Sequence, residues 1–127
     1  MSQETVASRR ILVVEDDPDI ADVERNILQT EGFEVDIAGD GAEALERLAE
    51  TRYHGIVLDA HLPGLDGYEV ASRVRDLPLN QATPIVMVTA SVEPDARQRG
   101  FALGITGFIA KPFKPATFRA LIANLAQ

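Results

Sequence analysis

Five residues of this 127-residue chain could act together on a phosphoryl group. Glu15 and Asp16 are adjacent carboxylates, Asp59 is a third, Thr89 offers a hydroxyl and Lys111 an ammonium. Each follows an apolar run: Ile11-Leu12-Val13-Val14, Gly55-Ile56-Val57-Leu58, Ile85-Val86-Met87-Val88 and the stretch 105–110. Three carboxylates ~4–6 Å apart in a partly buried site repel one another strongly. A hard divalent cation removes that cost. Mg²⁺ prefers an octahedron of oxygens and retains waters, so a few carboxylates and a phosphoryl oxygen suit it, and Mn²⁺ can substitute. Asp59 would be the nucleophile for phosphoryl groups, with the metal shielding its charge and stabilising the transition state. Lys111 would place a point charge on the acid or the phosphoryl oxygen, and Thr89 a hydroxyl on another oxygen. The small Ala90 leaves room beside them.

Taken singly, these residues have simpler readings. Acids after a strand usually cap or solvate a helix, a strand-end Asp forms turns, and a strand-end Thr is structural. The joint arrangement is far more specific, provided that all four runs are parallel strands whose ends open on one side. In open α/β sheets, chemistry gathers at the carboxyl ends of the strands.

The intervening sequence supports that placement. Arg10 to Val14 reads as a strand buried on both faces. Asp17 and Pro18 open a helix as cap and first residue. Ile20, Val23 and Ile27 give it an apolar stripe, and Gly32 ends it. Phe33 to Ile37 alternates apolar and polar residues, as an edge strand does. Asp40 and Glu43 have capping-box spacing ahead of Leu45, Leu48 and Ala49. Asp66 and Glu69 repeat it ahead of Val70, Ala71 and Val74. Asn80 to Thr83 reads as loop. A helix with a thin apolar stripe is expected from Glu93 to Leu103, ending at Gly104. The strand from Ile105 to Ala110 is interrupted by Gly107. Phe118, Leu121, Ile122 and Leu125 mark a final amphipathic helix. Five strand–helix repeats call for a parallel sheet with helices on both faces.

Composition narrows the function. The net charge is −8, which disfavours direct nucleic-acid binding. Six of the twenty acids lie between Glu15 and Glu24, and both lysines, Lys111 and Lys114, fall in one short motif. The absence of cysteine excludes disulfides and thiolate sites. No apolar run reaches the roughly 18 residues of a membrane span, and the start lacks a secretory core, so a cytoplasmic location is expected. Residues 1–8 are read as a flexible segment and 9–127 as one domain. The chain stops with its last helix, so no output domain is expected within it.

Four motifs carry a resemblance over about Arg9 to Leu125. They are Ile11-Leu12-Val13-Val14-Glu15-Asp16-Asp17, Leu58-Asp59 with Leu62-Pro63-Gly64-Leu65-Asp66-Gly67, Val88-Thr89-Ala90, and Lys111-Pro112-Phe113. The chain resembles a response-regulator receiver domain of bacterial two-component signalling. The resemblance implies a flavodoxin-like doubly wound five-stranded sheet of order 2-1-3-4-5. It implies that Asp59 accepts a phosphoryl group from the phosphohistidine of a histidine kinase or histidine phosphotransfer protein. Glu15, Asp16, Asp59 and the backbone carbonyl of His61 would bind Mg²⁺, and Lys111-Pro112 would be a cis peptide. It also implies a switch, in which Thr89 moves toward the phosphoryl oxygen and Phe108 turns inward. The surface of the fourth helix, fifth strand and fifth helix would then change to control a partner or attached output. Phe108 could instead be a static core aromatic. His61 and Ser91 occupy positions where dephosphorylation rate is tuned, although an exposed His61 without a role is the simpler reading. Gly104-Ile105-Thr106-Gly107 lacks the acidic pair common in DNA-binding members.

On this reading the chain is no enzyme beyond phosphotransfer to, and hydrolysis from, its own Asp59. A phosphatase acting through an aspartyl phosphate would want a second acid where His61 stands. A flavin-mononucleotide carrier would want a glycine- and hydroxyl-rich loop in place of Glu15-Asp16-Asp17. A phosphorylation-independent interaction module of the same fold remains the main alternative.

Overall fold

The computed structural model describes the backbone of residues 9–90 and 94–125. Strands β1 (Arg10–Val14), β2 (Glu34–Ala38), β3 (Gly55–Asp59), β4 (Ile85–Thr89) and β5 (Ile105–Ala110) alternate with five helices. These are α1 (Pro18–Thr30), α2 (Gly41–Glu50), α3 (Gly67–Val74), α4 (Pro94–Ala102) and α5 (Pro115–Leu125). All neighbouring strands pair in parallel, in the order β2-β1-β3-β4-β5. The expected fold class is therefore the observed one. β3 and β4 are buried along their whole length, whereas the outer strand β2 is half-buried.

Alternate side chains of each strand feed two cores. Leu12, Ile56, Leu58 and Met87 pack with α2 and α3, while Ile11, Val13, Val57 and Val88 pack with α1 and α5. Each fully buried Leu, Ile or Val contributes roughly 1.5–3 kcal/mol.

The caps follow the sequence. Asp17 Oδ1 accepts from the Asp19 amide at 2.9 Å, Asp40 Oδ1 from Glu43 at 2.8 Å, and Asp66 Oδ1 from Glu69 at 2.9 Å. Glu43 Oε1 in turn accepts from the Gly39 amide, one residue before the cap, at 2.9 Å. Gly32 ends α1 with a φ of 94°, a region that glycine enters without a Cβ penalty. At the β4–β5 edge the register slips, Ile85 facing Ile105 but Val86 facing Gly107. The shift leaves Thr106 as the extra residue, and the interruption expected at Gly107 is not seen: β5 runs unbroken from Ile105 to Ala110.

Two helix faces differ from expectation. The buried face of α1 carries Ala21, Glu24, Ile27 and Leu28, while Val23 is 46% exposed. In α2, Ala44 and Leu48 face the core and Ala49 is exposed. One residue along a helix is about 100° of rotation, and the sheet selects a face set by the strand-to-helix turns rather than by the most apolar residues. The segment read as loop also contains Asn80, which is fully buried. Its Nδ2 donates to the carbonyls of Leu48 (2.7 Å) and Thr51 (2.8 Å). Its Oδ1 accepts from the Tyr53 amide and the Thr83 hydroxyl, both at 2.9 Å.

Candidate functional site

The sheet delivers the reactive residues to one end. The Glu15 amide donates to Ala38 O (3.0 Å), the Ala60 amide to Val88 O (2.9 Å) and the Lys111 amide to Thr89 O (2.8 Å). The residues after β1, β3 and β5 are thus fastened to the ends of the neighbouring strands. Carboxylate oxygens of Glu15, Asp16 and Asp59 lie within 4.8 Å of one another. Glu15 and Asp59 are 3% and 4% exposed, and Asp16 is open to solvent.

Lys111 joins the two buried acids. Its Nζ lies 3.1 Å from Glu15 Oε1 and 3.2 Å from Asp59 Oδ2. Backbone amides serve the remaining oxygens: Asp17 N donates to Glu15 Oε2 and His61 N to Asp59 Oδ1, both at 3.1 Å. Burial pushes the Glu15 carboxyl up and the charge of Asp59 adds to this, outweighing the Asp17 amide and Lys111, which pull it down. Burial pulls Lys111 down, yet the hydrogen bond to Glu15 and the two carboxylate charges leave its ammonium above the usual lysine value.

The acids also meet the donor test for Mg²⁺. All are hard oxygen ligands, and trans oxygens around that ion lie about 4 Å apart. A cluster already within 4.8 Å needs little closure.

Thr89 is 2% exposed, at the end of β4. Its strand-mate is Ala110, immediately before Lys111. The imidazole of His61 is exposed. Lys111-Pro112 is cis, as the resemblance implied. Phe108 is half-buried, its ring edge-on to Phe101 at 6.1 Å between centroids. Ser91 lies outside the described residues.

Two features near the site carried no signal in the sequence. A groove of about 550 Å³ runs beside Lys111, lined by Ile20, Val23, Ala90, Pro112 and Phe113. It uses the side of α1 that apolar spacing had assigned to the core. Glu24 takes the core position instead; it is 1% exposed and its Oε2 has no partner among the described residues. A charged residue type at a core position leaves no mark in a hydrophobic pattern.

Comparison with known proteins gives one consistent result. The family model for the response regulator receiver domain matches residues 11–123. The transcriptional regulatory protein ResD of Bacillus subtilis is 41% identical over 106 residues, covering 84% of this chain and 43% of ResD. The chain thus spans less than half the length of that relative. A crystal structure of the chemotaxis protein CheY4 of Vibrio cholerae superimposes with a TM-score of 0.88 at 34% identity, covering 94% of this chain and 99% of that one. The receiver domain of the sensor histidine kinase PA1611 of Pseudomonas aeruginosa gives 0.84 at 30% identity, covering 95% and 100%. That structure holds a magnesium ion in its active-site cleft.

Proposed function

We propose a mechanism for this chain, which belongs to the response regulator receiver domains of two-component signalling: Asp59 accepts a phosphoryl group from a phosphohistidine on a histidine kinase or histidine phosphotransfer protein. The N–P bond of the donor breaks, its electron pair returns to the imidazole, and an O–P bond forms at the Asp59 carboxylate. Attack of water on phosphorus later releases phosphate and restores the acid. The observation that carries this reading is the ammonium of Lys111 between Glu15 and Asp59, at 3.1 and 3.2 Å, beside a third carboxylate.

The three carboxylates and one ammonium leave an excess of two negative charges, which would repel a phosphoryl donor. Glu15, Asp16, Asp59 and the His61 carbonyl would hold Mg²⁺, which supplies countercharge to the transferring group. The protein groups do the rest. The amide of His61 orients Asp59 through Oδ1. Lys111, now paired with Glu15 and Asp59, would exchange a carboxylate partner for a phosphoryl oxygen. Thr89 would offer its hydroxyl to another, and Phe108 would follow it. The groove lined by Ile20, Val23 and Phe113 gives the donor an apolar seat next to Lys111. The output is a partner or an attached domain, as the greater length of ResD allows. Direct nucleic-acid contact by this chain is disfavoured by its charge of −8.

Incubation with acetyl phosphate and Mg²⁺, followed by intact-mass measurement, tests the assignment. Wild type should gain one phosphoryl group and Asp59→Asn none. Equal labelling of both proteins would overturn it.

A further inference from the structure

Glycine inside a helix costs up to about 1 kcal/mol against alanine, and α4 carries one in its last turn, where its backbone makes no reversal. Gly100 is buried and its φ is not in the left-handed region. What it provides is space. A Cβ at Gly100 would overlap Phe108 Cζ, and would lie 3.1 Å from Phe108 Cε2 and 3.3 Å from Ile105 Cδ1. The tip of the Phe108 ring therefore occupies the volume of a missing methyl group. The neighbouring Phe101, 58% exposed, closes one flank of the ring edge-on.

The backbone beyond this point is tied down. Arg75 donates from Nε to Leu103 O and from Nη2 to Gly104 O, both at 3.0 Å, and from Nη1 to Gln81 O and Thr83 O at 2.8 and 3.0 Å. With the end of α4 so fastened to the start of β4, the element able to yield at Gly100 is the ring. Phe108 pairs with Met87, two residues before Thr89, so by the alternation of the strand it shares a sheet face with Thr89.

We propose that the missing side chain at Gly100 is the seat of the Phe108 ring while Asp59 is unmodified, and that this seat sets how readily Phe108 moves when Asp59 is modified. The second half rests on the reading that Phe108 responds to events at Asp59; the first half does not. Gly100 is a positioning residue on this account. A methyl group there evicts the ring, separates it from Phe101 and moves the resting molecule part of the way to its switched arrangement.

The two halves are tested separately. In thermal unfolding, Gly100→Ala should lower the midpoint of the wild-type chain and lower it far less, or raise it, in a Phe108→Ala background, where helix propensity is gained and only Ile105 Cδ1, 3.3 Å away, still crowds the methyl group. A change of the same sign and size in both backgrounds overturns the seat. Labelling with 4-fluorophenylalanine, with Phe108 assigned by Phe108→Leu, then reads the switch by fluorine NMR. In wild type, beryllofluoride with Mg²⁺ should move the Phe108 resonance. In Gly100→Ala the resonance should already be displaced before addition, and the further change should be less than half that of wild type. A Gly100→Ala resonance at the wild-type position, with a full response, overturns the proposal. A wild-type resonance that ignores beryllofluoride removes the switching half, while the unfolding cycle still decides the seat.

Discussion

Replacing Glu24 by glutamine should make the domain markedly less sensitive to alkaline pH. Glu24 is 1% exposed on the inner face of α1, and one carboxyl oxygen has no partner among the described residues. Burial, then the negative charges of Glu15 and Asp59 against the opposing Lys111, push its carboxyl from 4.5 up to about 8. Below 4.5 the folded and unfolded chains both hold the proton. Between 4.5 and about 8 the unfolded chain releases it and the folded chain keeps it, so stability falls as pH rises. Above that window the loss is complete and the slope vanishes.

Each pH unit in the window costs about 1.4 kcal/mol, roughly 4–5 kcal/mol across it. Water entering beside α1 relieves part of this, leaving about 2–4 kcal/mol. With an unfolding entropy of about 2.1 cal/mol/K per residue over 127 residues, that corresponds to roughly 8–15 °C in Tm. Glutamine copies the shape of the protonated acid and cannot ionise. Melting curves by circular dichroism, in EDTA to keep cations from the adjacent acids, should therefore diverge. The Tm of Glu24→Gln minus that of wild type should grow by this amount between pH 5 and 8.5. The elevated Glu15 gives a slope of the same sign in both proteins, which largely cancels in the difference. Parallel profiles over that range would refute the reasoning, because they would mean that Glu24 ionises in the folded chain as easily as in the unfolded one.

Asn80→Ala strips partners from two carbonyls, an amide and a hydroxyl in a buried site, and should cost about 3–5 kcal/mol by urea unfolding while the folded fraction keeps its affinity for Mg²⁺. Lys111→Ala removes a cation from beside the acids, so Mg²⁺ should bind at least about threefold tighter by calorimetric titration; an unchanged or weaker Kd would contradict the charge argument.

What the sequence disclosed and what it hid follow different physics. Strand ends and caps were legible because their signals are local. Four apolar residues and then an acid mark where β3 stops, and an Asp three residues before a Glu marks where α2 and α3 begin. The sequence alone therefore places Asp59, Lys111 and the acids that follow β1 at one end of the sheet. The buried face of α1 was not legible in this way. Ile20, Val23 and Ile27 form the more apolar stripe, but the sheet buries Ala21, Glu24 and Leu28 beside Ile27. Asn80 reads as a turn former and acts as a four-bond connector. Gly100 stands out in no sequence pattern, and its close approach to the ring of Phe108 is visible only in the structure. These three residues depend on what another segment presents to them, which no local pattern records.

The hidden residues also explain how the legible ones can coexist. Glu15 and Asp59 are almost fully buried, a placement that needs compensation for the lost hydration of each charge. One ammonium and two backbone amides provide it, and the site remains electron-rich. Glu24 lies under the same electrostatic load, which together with its burial pushes its carboxyl up to about 8. In the metal-free domain the two demands meet at Glu15: its ionised carboxylate would favour a bound cation, while its burial beside Asp59 makes that same charge costly to the fold. Any ligand that binds only the folded state adds RT ln(1 + [L]/Kd) to stability. The binding of a cation here would thus return to the fold part of what the crowded carboxylates withdraw. That reciprocity gives a physical reason to fasten the acids at or directly after strand ends, Asp59 on β3 and Glu15 by its amide to Ala38 O, since acids on freely moving loops could relieve the repulsion by moving apart and would then have less to gain from an ion.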